Sequence, residues 1–326
     1  MLSASITAVE YHLPERVLAN KELEQCFPEW SAEKIEEKLG ITSRAIAAAD
    51  ECSSDLAVAA ARTLFKRGAC TAAEIDFILF CTQTPDYLLP TSACLIQDRL
   101  GIPKSAGAID FNLGCSGYVY GLGIAKGLIE TGQAKKVLFL TGETYSKLMQ
   151  PQDKSTRTLF GDAGAATLLE LRDHSEERLG PFVYGTDGSG GKHLMVRHGG
   201  LRYPGLPVSE STGLCMNGGE VFAFSVREVS RTVAELLERS RKTIDQVDLF
   251  IFHQANAHML NFLRQKCKIP QDRFYEQFSA TGNTVSNTIP IALHHAMLEG
   301  KVPPNSTVMF VGFGVGLSWA ACLARF

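Results

Sequence analysis

Short, uninterrupted apolar runs recur along the chain, separated by longer segments in which apolar residues have helical spacing. The runs lack the alternation of a sheet with one face in water, so they are typical of strands covered on both faces. Four runs predict such strands: Phe77–Phe80, Val137–Leu140, Leu249–Phe252 and Val308–Val311. Five segments predict helices: Ser54–Arg67, Thr91–Leu100, Ser116–Thr131, Glu220–Ser240 and Asn287–Leu298. Strands that alternate with helices predict an α/β fold with a mostly parallel or mixed sheet.

The second half of the chain repeats the pattern of the first. The segment EIDFILFCTQ, which contains Cys81, resembles QVDLFIFHQA, which contains His253 and lies 172 residues later. The second and fourth apolar runs also resemble each other, and each is followed by a Gly- and Ala-rich apolar strand. We therefore predict two similar α/β halves, residues 1–173 and 174–326, although unrelated buried strands also look alike. The Gly-rich stretch 172–219 is interpreted as a connector with surface loops.

Composition and charge exclude several classes of function. The 326 residues are 45% hydrophobic and 21% charged, which is typical of a globular protein. The net charge of −3 gives no basic field for nucleic acid. No run reaches the roughly 18 apolar residues of a membrane span, and the N-terminal segment does not have the pattern of a signal peptide. Nine scattered cysteines without a CxxC pair favour a reducing compartment and offer no metal-ligand spacing. We expect a cytoplasmic protein without metal, nucleic acid or membrane partners.

Cys115 is the first candidate for chemistry. It follows the strand-like segment AIDF, has glycine nearby on both sides and precedes a helix rich in small residues. Backbone N–H groups and the positive end of the helix dipole are expected to lower the pKa of a thiol at this place and to favour the thiolate. The pattern therefore fits a nucleophile on a sharp strand-to-helix turn. The alternative is an inert buried cysteine, as most of the other eight must be.

Two candidates lie in the second half. His253 directly follows a buried strand, and Asn256 adds a polar group to the same loop. Open α/β sheets bind ligands at the C-terminal ends of their strands, so His253 is a candidate site residue, although a lone histidine is also common in protein cores. His258 lies about one helical turn further on, but no third ligand accompanies the pair, so a metal site is not predicted. Asn283 fits either a site residue or a simple turn and helix cap.

A glycine cluster, GFGVG at residues 312–316, lies near the C-terminus. It contains GxGxG but is placed between two strands, so it does not predict dinucleotide binding, which needs a following helix. Backbone N–H groups of such a loop can instead form an oxyanion hole. The matching FGDAGAA segment of the first half is interpreted as a tight turn with a structural Asp162. A Cys, a His about 140 residues later and an Asn 30 further on, all on sheet-edge loops, rarely coincide by chance.

These motifs resemble those of β-ketoacyl-acyl carrier protein synthase III, a family of condensing enzymes in the thiolase superfamily. The resemblance covers nearly the whole chain and rests on eight motifs: GCSG at 114–117, HQAN at 253–256, GNT at 282–284, GFGVGLSWAACLARF at the C-terminus, LPERVLAN, LGITSR, PTSACLIQ and FGDAGAA. It implies a five-layered αβαβα thiolase-like fold of two pseudo-symmetric halves, in a homodimer. It also implies an acyltransferase of fatty acid biosynthesis, which condenses an enzyme-bound acyl group with a malonyl thioester and releases CO₂.

The resemblance also implies roles for individual residues. Cys115 would be the acylated nucleophile, and His253 and Asn283 would hold the thioester oxygen that becomes negative when the malonyl group loses CO₂. Backbone N–H groups of Cys115 and Val315 would form the oxyanion hole for acylation, and Phe313 would shield the thiol. Acyl-CoA and acyl carrier protein thioesters would be the substrates, with no further cofactor. The implied channel residues are Asn256, Phe222, Phe313, Lys38 and Lys154.

Several positions depart from the family pattern. Lys38 stands where housekeeping members have an arginine that helps to bind the nucleotide of coenzyme A, and Lys154 replaces another, phosphate-binding arginine. Lys34 replaces a tryptophan that stacks on adenine, with Trp30 nearby but out of register, and His258 replaces an arginine implicated in carrier docking. Lysine keeps the charge but loses the bidentate fork and the stacking plane. A specialised secondary-metabolism member with another donor or acceptor is therefore an alternative. A thioester hydrolase and a noncatalytic subunit are more distant ones.

Overall fold

Two β-sheets, one from each half of the chain, organise the structure, a computed structural model that describes residues 2–173, 176–205 and 213–326. The first sheet contains β1 (Leu2–His12), β4 (Phe77–Cys81), β5 (Gly107–Phe111), β6 (Lys136–Glu143) and β7 (Ala163–Asp173). The second contains β8 (Leu179–Thr186), β11 (Leu249–Phe252), β12 (Thr307–Gly314) and β13 (Ser318–Arg325). Two small antiparallel sheets of two strands each pair β2 (Arg16–Ala19) with β3 (Ser43–Ile46) and β9 (Leu194–Val196) with β10 (Leu214–Met216).

The two sheets repeat one strand order. The first runs β1-β7-β6-β4-β5, in which β6, β4 and β5 are parallel and the other pairs antiparallel. The second runs β8-β13-β12-β11, in which only β12 and β11 are parallel. A parallel bridge between Phe250 and Phe274 takes the place beside β11 that β5 has beside β4. The strands that look alike in the sequence therefore occupy equivalent positions. The exact division at residues 173 and 174 stays a prediction.

Helices complete five layers around the two sheets. Outside the first sheet lie α3 (Ser53–Lys66) and α4 (Ser92–Leu100), and outside the second lie α7 (Gly218–Ser240) and α8 (Ala257–Lys266). Between the sheets, α5 (Gly117–Glu130) and α9 (Thr288–Leu298) share one apolar cluster with both of them. The shorter helices are α1 (Asn20–Cys26), α2 (Ala32–Leu39) and α6 (Lys154–Arg157). None of the helices in the described ranges is long and apolar enough to cross a membrane.

The apolar runs locate the buried elements well, but the sequence pattern misses β1, β8 and the four short strands β2, β3, β9 and β10. All four predicted strands and all five predicted helices are present, and the helix ends lie within two residues of the predicted ones. The interpretation of 172–219 as connector and loops was wrong in part, because β8 belongs to the second sheet. In this edge strand only Leu179 and Val183 are buried, and Gly180 and Pro181 interrupt the pattern, so no apolar run marks it. Residues 174–175 and 206–212 of that stretch lie outside the described ranges.

Helix α5 offers a matched pair of glycines for testing the central layer. A Cβ at Gly121 would lie 2.1 Å from the ring of Phe139, whereas a Cβ at Gly127 would meet nothing within 4 Å. Alanine is favoured over glycine by about 1 kcal/mol in a helix interior. We expect Gly127→Ala to raise the free energy of unfolding by up to ~1 kcal/mol and Gly121→Ala to lower it by about 1–3 kcal/mol, because Phe139 must move. Denaturant unfolding measures both, and equal effects would contradict this packing.

Candidate active site

Cys115 lies between the end of β5 and the start of α5, in the central layer. Its side chain is 6% exposed. Small neighbours allow this burial: a Cβ on Gly117 would lie 2.3 Å from the sulfur of Cys81, and a Cβ on Gly314 would lie 3.0 Å from the sulfur of Cys115 itself. Gly314 ends β12 of the second half. The turn before α5 therefore brings the thiol directly against the C-terminal glycine cluster.

Burial decides the protonation state of this thiol. It raises the pKa of Cys115 to about 12, and a negative charge on Glu143 acts in the same direction. The backbone N–H groups of Cys115 and Val315 favour the thiolate but do not outweigh burial. The expectation that the helix start lowers this pKa is therefore wrong, because the desolvation of the thiolate raises the pKa by more than these N–H groups lower it. Both N–H groups still point at the sulfur.

His253 extends the sheet edge on the other side of the cavity. Its backbone N–H donates to the carbonyl of Val311 at 2.7 Å, which fixes the residue just beyond β11. Its ring meets Phe313 edge to face, with 5.4 Å between ring centres. Burial lowers the pKa of His253 to about 3, and the backbone of Val285 only partly opposes this. The imidazole is therefore neutral at pH 7, so it can act only through its N–H and its lone pair.

Thr288 controls which imidazole nitrogen carries the proton. Nδ1 of His253 lies 2.8 Å from Oγ1 of Thr288, which can also donate to the carbonyl of Val285 at 3.0 Å. When the hydroxyl donates to Val285, it accepts from Nδ1–H, and Nε2 is an acceptor. When the hydroxyl donates to Nδ1, the proton is on Nε2 and faces the cavity. Sequence reasoning missed Thr288 because a threonine that begins a helix is an ordinary capping pattern.

Asn283 approaches the same point from a loop of the second half. Its Nδ2 lies 3.4 Å from Nε2 of His253, and its Oδ1 accepts from the backbone N–H of Val285 at 2.9 Å. The second bond fixes the orientation of the amide and turns its N–H groups to the histidine. Val285 has a φ of 57°, which is rare for a β-branched residue. The backbone strain at Val285 therefore accompanies the aiming of the Asn283 side chain, which matches strain stored at a functional site.

The three candidate residues line one cavity of about 90 Å³. Cys115, His253 and Asn283 all contribute to its wall, together with Asn256 and Phe313. Oδ1 of Asn256 also caps α8 by accepting from the N–H of Met259 at 2.9 Å. The structure thus brings together all three residues that the sequence singled out for catalysis and two of the implied channel residues.

The other implied channel residues lie outside this cavity wall. Phe222 packs against α8. The centre of its ring lies 5.5 Å from that of His258 and 5.2 Å from that of Phe262. Lys38 and Lys154 belong to a surface cluster around an indole. The cluster consists of Trp30 and three lysines, whose Nζ atoms lie 5.3–5.7 Å from the centre of the indole ring. The three lysines are Lys34, Lys38 and Lys154.

Trp30 is therefore the centre of this cluster and not a residue beside it. Although it is out of register in the sequence, the fold brings it within cation–π range of all three lysines. Lys154 also pairs with the carboxylate of Glu29 at 2.9 Å. The cluster combines an aromatic plane with excess positive charge, which is what a nucleotide or phosphate group needs.

Glu143 is a buried carboxyl that sequence reasoning missed. It ends β6, is fully buried and accepts from the N–H of Gln83 at 3.1 Å, from Oγ1 of Thr84 at 3.2 Å and from Oγ of Ser286 at 3.2 Å. Burial raises the pKa of Glu143 to about 8, despite these donors. Ser286 lies in the second half, so this carboxyl joins the two halves behind the site. In the sequence, the only indication of this buried carboxyl is that a glutamate closely follows a strongly apolar run.

Comparison with known proteins assigns the family. A family model described as 3-oxoacyl-[acyl-carrier-protein (ACP)] synthase III matches residues 109–188, and the model of its C-terminal part matches residues 237–326. The β-ketoacyl-[acyl-carrier-protein] synthase III of Caldanaerobacter subterraneus subsp. tengcongensis is 35% identical over 99% of this chain and 98% of its own. The chain belongs to this family. A crystal structure of a 3-oxoacyl-(acyl-carrier-protein) synthase III is 50% identical, covers 99% of this chain and 100% of that one, and has a TM-score of 0.96.

A relative with a specialised role is also similar. The priming β-ketosynthase of the R1128 polyketide biosynthetic pathway has a TM-score of 0.90 and 30% identity, covering 99% of this chain and 96% of that one. The β-ketoacyl-acyl carrier protein synthase III family consists of acyltransferases that join acyl groups by condensation. The predictions of a thiolase-like fold and of a condensing enzyme are confirmed. The roles given to individual residues stay predictions.

The raised pKa of Glu143 predicts a pH-dependent stability. An unfolded glutamate loses its proton near its ordinary value, whereas the folded one keeps it up to about pH 8. The folded state therefore binds more protons between these values and loses stability as the pH rises through them, by at most about 1.4 kcal/mol per pH unit. We expect Glu143→Gln to gain stability relative to wild type between pH 5 and 8. Urea unfolding of both proteins measures this difference, and a constant difference would refute the prediction.

Proposed function

We propose that an acyl thioester loads its acyl group onto Cys115. The observation that carries this proposal is the convergence of the thiol, His253 and Asn283 in one buried cavity, with the N–H groups of Cys115 and Val315 directed at Sγ. Sγ forms a bond to the acyl carbon while the donor's carbon–sulfur bond breaks. The thiol proton leaves with the released donor thiol. The two backbone N–H groups stabilise the negative oxygen of the tetrahedral intermediate.

In the second step, a malonyl thioester enters the same cavity and loses CO₂. Its thioester oxygen becomes negative and accepts from Nδ2 of Asn283 and from Nε2–H of His253, which lie 3.4 Å apart and can share one oxygen. The carbanion then attacks the acyl carbon, the bond to Sγ breaks and the thiolate takes up one proton. The product is a β-ketoacyl thioester. Because His253 is buried and neutral, it donates without first losing a charge.

The thioesters are carried by coenzyme A and by an acyl carrier protein in this proposal, and no further cofactor is required. Asn256 and Phe313 line the inner part of the path, and Phe222 lies beside α8 at its outer part. The lysine cluster around Trp30 supplies positive charge and a stacking plane for phosphate or nucleotide groups.

We further propose a cytoplasmic homodimer that serves fatty acid biosynthesis. Tyr87, Leu88 and Leu89 are 62%, 73% and 83% exposed in the single chain. Three consecutive exposed apolar side chains favour burial against another protein surface. A second copy is the occupant that the family resemblance implies.

The specialised alternative keeps the same chemistry with another acyl group. It is supported by the similarity to a priming β-ketosynthase of a polyketide pathway and by lysines at the phosphate-binding positions. Both versions use Cys115 as nucleophile, so the loading experiment below tests the reaction, and the identity of the best donor separates the versions.

Replacement of the nucleophile tests the loading step. Purified protein is incubated with acetyl-, butyryl- and longer acyl-CoAs, and with the same groups on an acyl carrier protein. We expect the intact mass to rise by one acyl group in wild type and not in Cys115→Ala, because the mutant has no thiol at the oxyanion hole. Cys81→Ala is the matched control, because it removes a neighbouring buried thiol. An adduct that persists in Cys115→Ala, or no adduct with any donor, would refute the proposal.

Replacement of Thr288 tests how the histidine acts. Thr288→Val removes the hydroxyl at 2.8 Å from Nδ1 but keeps the branched shape, whereas Thr288→Ser keeps the hydroxyl. Without the hydroxyl, Nδ1 of His253 loses the donor that keeps the imidazole proton on Nε2. We expect Thr288→Val to lose about 10-fold in the release of CO₂ from a malonyl thioester, because the missing hydrogen bond to the imidazole is worth about 1–1.5 kcal/mol, and to keep loading Cys115. Thr288→Ser should recover CO₂ release. Equal losses in both steps would indicate a structural role only.

A further inference from the structure

A second and larger cavity, of about 830 Å³ in the single chain, adjoins the one that holds the thiol, and Tyr87 and Leu88 of the proposed dimer surface line its exposed side. Leu194 lines both cavities, and Val315, whose N–H points at the sulfur of Cys115, lines the larger one. The smaller cavity has room for only about three water-sized groups. It also has to accept the malonyl unit. An acyl chain of more than a few atoms on Cys115 therefore has its space in the larger cavity.

One wall of the larger cavity is a chain of polar groups. Oη of Tyr145 donates to Oε1 of Gln83 at 2.5 Å, and Nε2 of Gln83 donates to Oδ1 of Asn112 at 2.9 Å. All three residues line the cavity. Tyr145 is almost fully buried, and burial raises the pKa of its phenol well above the ordinary value, so it stays neutral. Gln83 is half-buried and Asn112 is exposed, so the chain of polar groups runs from the buried phenol to the open side of the cavity.

The polar chain is fixed in place from behind. The backbone N–H of Gln83 is held by the carboxyl of Glu143 at 3.1 Å, and the ring of Tyr145 packs on Phe160, with 5.2 Å between ring centres. The phenol O–H donates to the oxygen of the Gln83 amide and the amide nitrogen donates to Asn112, so both ends of this amide are engaged within the wall. The amide and phenol cannot easily turn away to make room for methylene groups.

The wall retains one donor and one acceptor for a bound molecule. Nε2 of Gln83 has a second N–H, for which the described ranges give no partner, and Oη of Tyr145 keeps a lone pair after donating its proton. A hydroxyl group matches this pair, since it can accept from the amide and share its own proton with the phenol oxygen. A methyl group would leave both without a partner, which is unfavourable wherever the bound chain keeps water away.

The wall also lies close to the reacting end of the acyl chain. Gly114 directly precedes the nucleophile, and a Cβ built on it would lie 2.4 Å from Oε1 of Gln83. A group that reaches Gln83 is therefore attached within the first few carbon atoms of the acyl chain. We propose that this enzyme takes hydroxyacyl groups, with the hydroxyl on the second or third carbon and bound by Gln83 and Tyr145. This rests on the proposed loading of Cys115.

Paired donors of equal shape test the proposal. In one competition, each enantiomer of 3-hydroxybutyryl-CoA competes with 3-methylbutyryl-CoA for the thiol of the purified protein. In the other, 2-hydroxybutyryl-CoA competes with 2-methylbutyryl-CoA. Intact mass follows the rate of each adduct. We expect one hydroxyacyl group to load at least about tenfold faster than its methyl partner, because a site that hydrogen-bonds a hydroxyl rejects the isostere without it. The same groups on an acyl carrier protein replace the CoA donors if the latter do not load.

Two variants remove the polar wall one group at a time. Gln83→Leu removes the amide and Tyr145→Phe removes only the hydroxyl, and each should invert the preference towards the methyl partner. Tyr120→Phe is the matched control, because its hydroxyl bonds the carbonyl of Gly185 at 3.1 Å and it lines neither cavity. It should keep the wild-type ratio.

The outcomes separate this inference from the proposed function. Adducts that form without preference in wild type, or variants that slow both partners equally, would overturn the hydroxyacyl inference and leave the loading of Cys115 intact. The absence of any adduct, with acetyl and unsubstituted chains on either carrier included, would overturn the proposed function and this inference with it. A preference that inverts in Gln83→Leu or in Tyr145→Phe, but not in Tyr120→Phe, would support the hydroxyacyl site.

Discussion

The contact between the two halves behind the nucleophile fixes the rest of the site. The side-chain amide of Asn287 donates to the carbonyl of Ala163 at 3.0 Å and accepts from Oγ1 of Thr141 at 2.6 Å, so one buried residue of the second half bonds two strands of the first. Four residues earlier, Asn283 forms a parallel bridge with Phe160. Breaking such buried bonds leaves unsatisfied groups at about 1–3 kcal/mol each. These bonds therefore hold the Asn283 side chain opposite a thiol that belongs to the other half.

The same contact explains what the sequence could and could not predict about the fold. Strands covered on both faces need apolar side chains throughout, so Leu249–Phe252 has the same bounds in the sequence pattern and in the structure. The edge strand β8 needs only alternate burial and tolerates Pro181, so it has no comparable signal. The similarity between segments 172 residues apart correctly indicated that their strands occupy equivalent positions in the two sheets. It could not indicate how the two sheets face each other, because that depends on contacts between residues far apart in the chain.

The site shows the same division between local and tertiary information. Cys115, His253 and Asn283 could be singled out because each stands in a local motif at the end of a strand or in a loop. Gln83 and Tyr145 could not be singled out, because each has an ordinary local sequence. They form a polar wall only because the fold brings their two separate loops together. The pKa of the thiol was misjudged for a related reason. The helix start is visible in the sequence, but the burial that outweighs it is created by the second half of the chain.

Burial also explains how a site without permanent charge can control reactions that create charge. None of the described residues lining the small cavity is Asp, Glu, Lys or Arg. At neutral pH the thiol of Cys115 keeps its proton and His253 is uncharged. In the proposed reaction, negative charge arises on substrate oxygens and, when the acyl bond breaks, on Sγ, where fixed N–H donors interact more strongly than they would in water. The lysines around Trp30 lie at the surface. A lysine beside the thiol would stabilise the thiolate before a substrate arrives, so this separation makes charge formation depend on the bound substrate.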